Sequence, residues 1–461
     1  MEKSKKSKRK AKHAQRKVVQ VDALQQLNLN AAGVDIGSEE IYVAVPPDRD
    51  EQSVRCFGVF TPDLQQVAAW LKLCKIETVA MEATGIYWIA LYDVLEAAGF
   101  QVYLVNARHA KNVAGRKTDV LDCQWLQQLH TYGLLRASFR PDAEIRALRT
   151  LTRQREMLVE YRSAHIQHMQ KALRQMNVQL DVVLSDITGL TGMLIIRDIL
   201  VGKHDPKQLA QHRDPGCKRS QDEIEKALLG NYLPELLFTL RQAVALYDTY
   251  SQQIEACDRQ LESCYAQLNE TLDPALPELP APTRRQQRNA AQVDFDLRTH
   301  LYQLTGVDLT TLDGFGVLTV QTILSEIGTD MAKWPTYKHF CSWLGLSPHD
   351  DISGGKVLRH KTKTVHSKAN LAFRQAAQSA GKSQSAIGDF YRRMRTKYGA
   401  PTAIVATAHK LARIVYSMLK YKTPYQPAAS SASDDKLTQA SIRNLQRKAK
   451  KLGFQLVPTA A

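Results

Sequence analysis

The alternation of apolar and polar positions predicts a β-sheet in the first third of the chain. An apolar run covers residues 31–36, and Ile41, Val43 and Val45 then alternate with other residues. This pattern is typical of a strand, a brief turn and a return strand. A second apolar run ends at Met81 and is followed by a turn and an amphipathic helix. The segment therefore predicts an α/β domain.

Two later segments have apolar residues in alternating steps of three and four positions, which is heptad spacing. The first contains Ile166, Met169, Leu173, Met176 and Leu180; the second contains Leu240, Ala243, Tyr247, Tyr250, Ile254, Cys257, Leu261, Cys264 and Leu268. The matching seams predict an antiparallel coiled-coil hairpin, inside one chain or between chains. Cys257 and Cys264 would then pack in its core rather than bind metal. The stretch 181–234 between the helices predicts a small helical insertion to which the sequence assigns no role.

A chain of 461 residues is too long for one ordinary core and predicts several domains, of α/β and then α class. We expect a basic disordered tail at 1–29, a catalytic α/β domain at 30–142, the coiled-coil region with its insertion at 143–273, a linker at 274–299, a mostly helical second domain at 300–425 and a flexible basic tail at 426–461. The prolines at 274, 277, 280 and 282 mark the linker.

Four carboxylates lie where such a sheet would gather them. Asp35 lies inside an apolar strand, where a carboxylate is costly unless it is paired or bound to metal. Glu82 follows the second apolar run, at a strand end where α/β sheets place ligands. Asp119 and Asp122 are three positions apart and share one face of a predicted helix. The alternative for this pair is that the helix dipole favours Asp119 and that Asp122 faces solvent.

Carboxylate oxygens suit hard cations. Two cations a few ångströms apart need several such ligands, and Mg²⁺ or Mn²⁺ held there would polarise a phosphodiester. The four acids therefore predict a metal-dependent enzyme that cuts nucleic-acid strands.

The motifs around these acids resemble a known family. Gly33-Val34-Asp35-Ile36-Gly37, Met81-Glu82-Ala83-Thr84-Gly85 and Lys117-Thr118-Asp119-Val120-Leu121-Asp122 are similar, in this order, to motifs of the DEDD transposases of bacterial insertion sequences. These are bridge-RNA-guided recombinases whose amino-terminal domain resembles the RuvC resolvase. The stretch 309–328, then Phe340 to Pro348 and Ser353 to Lys356, resembles the family's second domain.

The resemblance implies a RuvC-like ribonuclease-H fold whose metal ligands and catalytic acids are Asp35, Glu82, Asp119 and Asp122. It also implies that Ser353 is the nucleophile, forming a phosphoserine intermediate with DNA, while Ser367 in a later Ser-Lys element is the rival. The partners implied are donor and target double-stranded DNA, a guide (bridge) RNA and further copies of the chain, assembled as a tetramer.

Charge agrees with a nucleic-acid partner, since the net charge is +16 and the pI is about 9.4. Half of this excess lies in the first 18 residues, where nine Lys or Arg face one Glu. The residues expected to contact nucleic acid are Lys356, Arg359, Lys361, Lys363, Lys368 and Arg374, together with Arg116 and Lys117. A further cluster comprises Arg392, Arg393, Arg395 and Lys397, for which a solvated helix face is the alternative.

The segment Leu312 to Thr319 resembles a helix-hairpin-helix element, whose glycine turns present backbone amides to a DNA phosphate. An ordinary turn between packed helices is the alternative.

Other classes fit the sequence less well. No apolar stretch is long enough to span a bilayer and no secretory signal is present, so we expect a cytoplasmic bacterial protein without a membrane partner. The seven cysteines lack zinc spacing. A junction resolvase that uses water, a phosphate-binding ATPase and a non-catalytic RNA-binding scaffold remain as alternatives.

Overall fold

The computed structural model describes residues 25–83, 85–106, 119–270, 276–282, 292–363, 365, 367–426, 442–443 and 445–455. The chain divides into two compact units, residues 1–140 and 141–461. The first is a mixed α/β unit and the second is mostly helical, which confirms the predicted order of classes. Most of both predicted tails, as well as Arg116 and Lys117, lies outside the described residues.

The first unit is built on a mixed five-stranded sheet. Its strands are β1 (Ala31–Ile36), β2 (Ile41–Ala44), β3 (Val54–Phe57), β4 (Thr78–Glu82) and β5 (Gln101–Val105). They lie in the order β3-β2-β1-β4-β5. The pairs β1–β2 and β2–β3 are antiparallel, as the predicted strand and return strand require, whereas β1–β4 and β4–β5 are parallel. The central strand β1 is therefore flanked by one neighbour of each direction.

Helices cover both faces of this sheet. They are α1 (Thr61–Leu73), α2 (Trp88–Ala97) and α3 (Asp119–Thr131). Alternate residues of a strand point to opposite faces. Val34 and Met81 accordingly pack with α1 and α2 in the main core, while Ala80 packs with Leu126 of α3 in a smaller one. The sheet is thus buried on both sides, which explains its nearly continuous apolar strands.

Gly33 sets the distance between β1 and α3. A Cβ atom at this position would lie 2.2 Å from the backbone nitrogen of Gln127 and 2.3 Å from the carbonyl oxygen of Cys123. Real Cβ atoms do not approach backbone atoms so closely. Only glycine therefore permits α3 to lie directly on the central strand.

The second unit begins with two long helices, α4 (Ala143–Gln175), and, after the insertion, α9 (Pro234–Glu270), with four shorter helices between them. These are α5 (Leu180–Val183), α6 (Leu190–Leu200), α7 (Pro206–Ala210) and α8 (Gln221–Ala227). Arg155 contacts Asp258 whereas Arg162 contacts Ser251, so α4 and α9 run antiparallel within one chain. The coiled-coil geometry itself stays a prediction.

The predicted seam is wrong in one detail. Cys257 and Cys264 are half-buried, and the fully buried positions beside them are Asp258 and Tyr265. The Arg155 guanidinium forms two hydrogen bonds with the Asp258 carboxylate, both side chains being buried, and also donates to the carbonyl of Gln292 at 3.1 Å. An ion pair can occupy a helix contact in this way when its polar atoms are satisfied, and apolar spacing alone does not reveal it.

The remainder of the second unit is helical with one hairpin. Its elements are α10 (Leu297–Thr305), α11 (Val317–Ile327), α12 (Tyr337–Trp343), β6 (Pro348–Ser353), β7 (Lys356–Thr362), α13 (Lys368–Ala380), α14 (Ala386–Tyr398) and α15 (Ala400–Tyr421). Phe340, Phe373 and Tyr416 pack together at its centre. Across the described residues, no helix combines the length and apolar character needed to cross a membrane.

Charged side chains join α4 to α11. Arg149 donates to the carbonyl oxygens of Ser325 and Glu326 at 3.2 and 2.7 Å, at the end of α11 where helix carbonyls lack intrahelical partners. Arg153 binds the buried carboxylate of Glu326 at 2.7 Å. These bonds fix the first half of the long helix against the helical core of the same unit.

Replacement of Gly33 with alanine should destabilise the first unit by about 3 kcal/mol, because the added methyl group has to displace the backbone of α3. Gly316→Ala is the control, since no atom lies within 4 Å of its Cβ position and its φ of −89° suits alanine. We expect a change within about 0.5 kcal/mol there. Urea unfolding measures the loss of stability in each variant, and hydrogen exchange of the β1 and α11 peptides shows where it occurs. Equal protection of β1 in wild type and Gly33→Ala would contradict the packing argument.

Candidate active site

The first two acids lie side by side on the sheet. β1 and β4 are parallel, with Val34 paired to Met81, so Asp35 and Glu82 are the next residues along the two strands. In-register residues of neighbouring strands point to the same face. Asp35 and Glu82 therefore share the face of Gly33, which is the face covered by α3. Both side chains are half-buried at the carboxyl ends of their strands.

Asp122 approaches the same place from α3. Its neighbour Cys123 has its carbonyl oxygen over Gly33, two residues before Asp35. Burial, together with the negative charges of Asp35 and Asp122, raises the pKa of the Cys123 thiol to about 12. Both carboxylates are thus close enough to the thiol to act on its charge. The contact of α3 with β1 therefore brings Asp122 to the same end of the sheet as Asp35.

Asp119 is described only by its backbone. It is the first residue of α3, one turn before Asp122. The position of its side chain lies outside the described residues, as do Arg116 and Lys117. The structure therefore describes the side chains of three of the four predicted acids and only the backbone of the fourth.

The donor set fits a hard cation. Asp35, Glu82 and Asp122 offer only carboxylate oxygens, the ligands preferred by Mg²⁺ and Mn²⁺. The Cys123 thiol, whose pKa is about 12, stays protonated at neutral pH and is a poor ligand. Over the part of the chain that the structure describes, however, no three acidic, cysteine or histidine side chains meet closely enough to hold one ion. Asp119 or a phosphate oxygen would have to complete the ligand set.

The turn after Glu82 exposes apolar side chains that the sequence pattern did not single out. Ile86 and Tyr87 are 73% and 52% exposed at the start of α2, and the indole nitrogen of Trp88 donates to the carbonyl of Gly85 at 3.1 Å. An exposed ring beside acidic strand ends suits stacking on a base. The sequence alone does not show this exposure, because apolar residues next to an amphipathic helix are as often buried as exposed.

Ser353 lies at the tip of a β-hairpin rather than in a simple loop. It ends β6 and is paired with Lys356, the first residue of β7. Gly354 and Gly355 between them have φ values of +56° and +79°, the left-handed region that a two-residue type I′ turn requires at both central positions. The glycine pair therefore has a structural cause besides the close approach of a phosphate.

A lysine accompanies the serine across the turn. The side chains of directly paired residues in an antiparallel ladder lie on the same side, with Cβ atoms about 5 Å apart. Ser353 and Lys356 form such a pair, and both are exposed. Arg359 and Lys363 are exposed as well, whereas the side chain of Lys361 lies outside the described residues. The hairpin tip thus combines a hydroxyl with a cation able to hold a phosphate.

The Ser367 region is more enclosed. Ser367 is half-buried at the N-cap of α13, and its backbone carbonyl accepts a bond from the amide of Leu371. Lys368, expected to bind DNA, instead forms an ion pair with Glu156 of α4, whose carboxylate also accepts a hydrogen bond from Thr322 at 3.1 Å. Arg374 is exposed. The ion pair leaves Lys368 less available for a phosphate than Lys356.

Close packing already accounts for a glycine in the segment that resembles a helix-hairpin-helix element. Gly314 has a φ of +83°, and a Cβ there would lie 2.1 Å from the carbonyl oxygen of Ala376 in α13. Close approach of two protein segments therefore already requires this glycine. Its role in binding a DNA phosphate stays a prediction.

Two family models match the sequence. One, a transposase model of the DEDD type named for IS110, matches residues 32–178. The other, described as the transposase IS116/IS110/IS902 family, matches residues 308–392. Together they span half of the chain, and they include the carboxylates and the Ser353 hairpin respectively. No curated protein matches the sequence.

His130 holds α3 on the sheet and should make this contact sensitive to pH. Its Nε2 lies 2.8 Å from the hydroxyl oxygen of Thr78, and its ring, tilted by 55°, has its centroid 4.6 Å from that of Tyr103. Burial lowers the pKa of His130 to about 4 from its ordinary value of 6.5. The unfolded chain therefore binds a proton between pH 6.5 and 4 that the folded chain does not, and stability is lost as pH falls through this window.

This effect should cost about 2 kcal/mol between pH 7 and pH 5. His130→Gln retains a hydrogen-bonding group without the titration, so its stability should fall less over that interval. Chemical denaturation of both proteins at pH 7, 6 and 5 measures the difference. If the stability of both proteins falls equally from pH 7 to pH 5, the titration of His130 does not contribute to the pH dependence of stability.

Proposed function

Because the chain belongs to the IS116/IS110/IS902 family of transposases, we propose that it is an RNA-guided DNA recombinase that moves an insertion sequence through a serine–DNA intermediate. The family implies a DNA substrate and an enzyme that cleaves and joins DNA. The observation that carries the proposal is the register of β1 with β4, which aligns Asp35 with Glu82 inside the first matched segment.

The first unit would be a RuvC-like nuclease domain over residues 30–142. Its mixed five-stranded sheet with helices on both faces supports this fold. Asp35, Glu82, Asp119 and Asp122 would hold Mg²⁺ or Mn²⁺, which would supply positive charge to polarise the phosphodiester and stabilise the leaving oxygen. The half-buried positions of Asp35, Glu82 and Asp122 limit competing contacts with water.

The second unit would supply the nucleophile. The Ser353 hydroxyl would attack the phosphorus, forming an Oγ–P bond as the bond from phosphorus to one deoxyribose oxygen breaks. The serine proton leaves as that oxygen gains one, and the number of phosphodiester-type bonds is unchanged. A hydroxyl of the exchanging strand would then displace Ser353, restoring the serine. Lys356 would hold the attacked phosphate, since it is paired with Ser353 across the turn.

Guide RNA and donor and target DNA would be bound by exposed cations of the second unit, including Arg359, Lys363 and Arg374, and by Arg116 and Lys117. We further propose that the acids of one protomer work with the serine of another in a tetramer, assembled through the α4–α9 pair. Light scattering during size-exclusion chromatography tests this assembly. Only monomer with and without RNA would contradict it.

Ser353→Ala should abolish the covalent protein–DNA adduct and reduce strand exchange below detection, because no hydroxyl remains at the hairpin tip. The measurement is a denaturing gel of the full-length protein with its co-purifying RNA and labelled donor and target duplexes. Ser367→Ala is the matched control and should leave the adduct in place. Asp35→Asn should abolish cleavage while preserving binding of the duplexes.

The same gel separates the alternatives. A resolvase that uses water would keep cutting in Ser353→Ala without ever forming an adduct. A scaffold would show no metal-dependent cleavage in the wild type, and an adduct that persists in Ser353→Ala but disappears in Ser367→Ala would transfer the nucleophile to α13. Each of these results contradicts the proposed mechanism.

A further inference from the structure

Three cations gather where α14 packs on α15. Arg393 of α14 and Lys410 of α15 lie against the same aromatic ring, with Cζ at 5.8 Å and Nζ at 4.8 Å from the centroid of Phe390. Arg413 follows Lys410 by one helical turn, and its Cζ lies 4.7 Å from the ring centroid of Tyr337. We name Arg393, Lys410 and Arg413 the α14–α15 cation cluster.

No carboxylate compensates this cluster. Within the described residues, none lies within ion-pair distance of Arg393, Lys410 or Arg413. The adjacent Arg392 differs in this respect, since it pairs with Asp389 and donates to the carbonyls of Gly381 and Ser383 at 3.0 and 2.7 Å. Arg392 therefore has a structural role, whereas the charge of the neighbouring Arg393 is not paired with a carboxylate.

The arrangement costs free energy in the isolated chain. Burial lowers the pKa of Lys410, and the positive charges of Arg393 and Arg413 lower this pKa further. Burial and Arg413 also lower the pKa of His409. Like charges disfavour one another's protonated forms when they are partly removed from water. A bound anion would reverse this repulsion, and the aromatic rings fix the cations in place for it.

We propose that the α14–α15 cation cluster binds the phosphodiester backbone of a nucleic-acid strand. Arg393 and Arg413 are exposed and Lys410 is half-buried between them, so successive phosphates can reach all three cations. Such contacts fix the position of a strand without reading its bases. The proposal concerns binding alone and does not depend on Ser353 or on the carboxylates.

The test is fluorescence anisotropy of full-length protein with labelled single-stranded RNA and with labelled duplex DNA, in EDTA and at several salt concentrations. The variant Arg393→Gln/Lys410→Gln/Arg413→Gln should bind at least one of these probes at least tenfold more weakly. The slope of log affinity against log salt should become shallower by roughly 2 to 3, corresponding to the lost phosphate contacts. The probe affected identifies whether RNA or DNA occupies the cluster.

The matched control is Lys207→Gln/Lys218→Gln/Lys226→Gln, which removes the same charge from exposed positions of the helical insertion. It should change affinity less than threefold. Unchanged affinity and an unchanged salt slope of the cluster variant for both probes would overturn the proposal. Equal losses of affinity in the cluster and control variants would also overturn it, because the effect would then follow from net charge alone.

Thermal unfolding gives a second readout without nucleic acid. Arg413→Gln should raise the melting temperature at low salt, because it relieves repulsion within the cluster, and the gain should disappear at high salt where charges are screened. A melting temperature lowered equally at low and high salt would show that Arg413 serves packing on Tyr337 and that the cluster holds no repulsion for an anion to relieve, which contradicts the electrostatic premise of the proposal.

Discussion

The close contact of α3 with β1 at Gly33 determines the geometry of the candidate catalytic centre. The strands by themselves align Asp35 with Glu82, since the parallel register continues past Val34 and Met81. The helix can bring Asp122 toward these strands because its backbone lies on a residue without a side chain. His130 secures the other end of the helix through Thr78 and Tyr103. Packing on one face of the sheet thus brings residues distant in sequence to one edge.

In the second unit, charged side chains connect helices to one another. Arg155 with Asp258, and Arg149 and Arg153 with Glu326, are buried or half-buried bonds that fix helices to each other. Breaking one partner of a buried pair is strongly destabilising, because the remaining charge stays desolvated. The cations of the hairpin tip are exposed, and those of the α14–α15 cation cluster lie against aromatic rings. The unit therefore contains cations that fix helices to one another as well as exposed cations on its surface.

The sequence revealed what periodicity and local context encode. The strands around Asp35 and Glu82, the antiparallel long helices and the helical insertion follow from apolar spacing, and the motifs led to the family that the two matches show. The contact of α3 with β1 was not predictable, because it depends on backbone atoms far apart in the chain. The seam was misassigned at Cys257, since spacing cannot show that the buried Asp258 is paired with Arg155.

Two features of the second unit were not predicted from the sequence. The β6–β7 hairpin could have been found, because Gly354-Gly355 between strand-like segments is a turn signal. The α14–α15 cation cluster could not. Arg392 and Arg393 are neighbours of one residue type, yet Arg392 pairs with Asp389 of its own helix, whereas Arg393 lies over the Phe390 ring that it shares with Lys410 of α15. Tertiary contacts thus assign roles that composition leaves open.

The central proposal is that Asp35, Glu82 and Asp122, with Asp119 or a phosphate oxygen completing the ligand set, would serve one ion although two of the three lie on strands and one on a helix. The most direct measurement is titration of full-length protein with Mn²⁺, followed by electron paramagnetic resonance, for wild type, Asp35→Asn, Glu82→Gln and Asp122→Asn. We expect each substitution to weaken the tightest Mn²⁺ site by tenfold or more. Wild-type Mn²⁺ affinity in Asp122→Asn, alongside its loss in Asp35→Asn, would contradict the claim that α3 delivers a ligand to the strands.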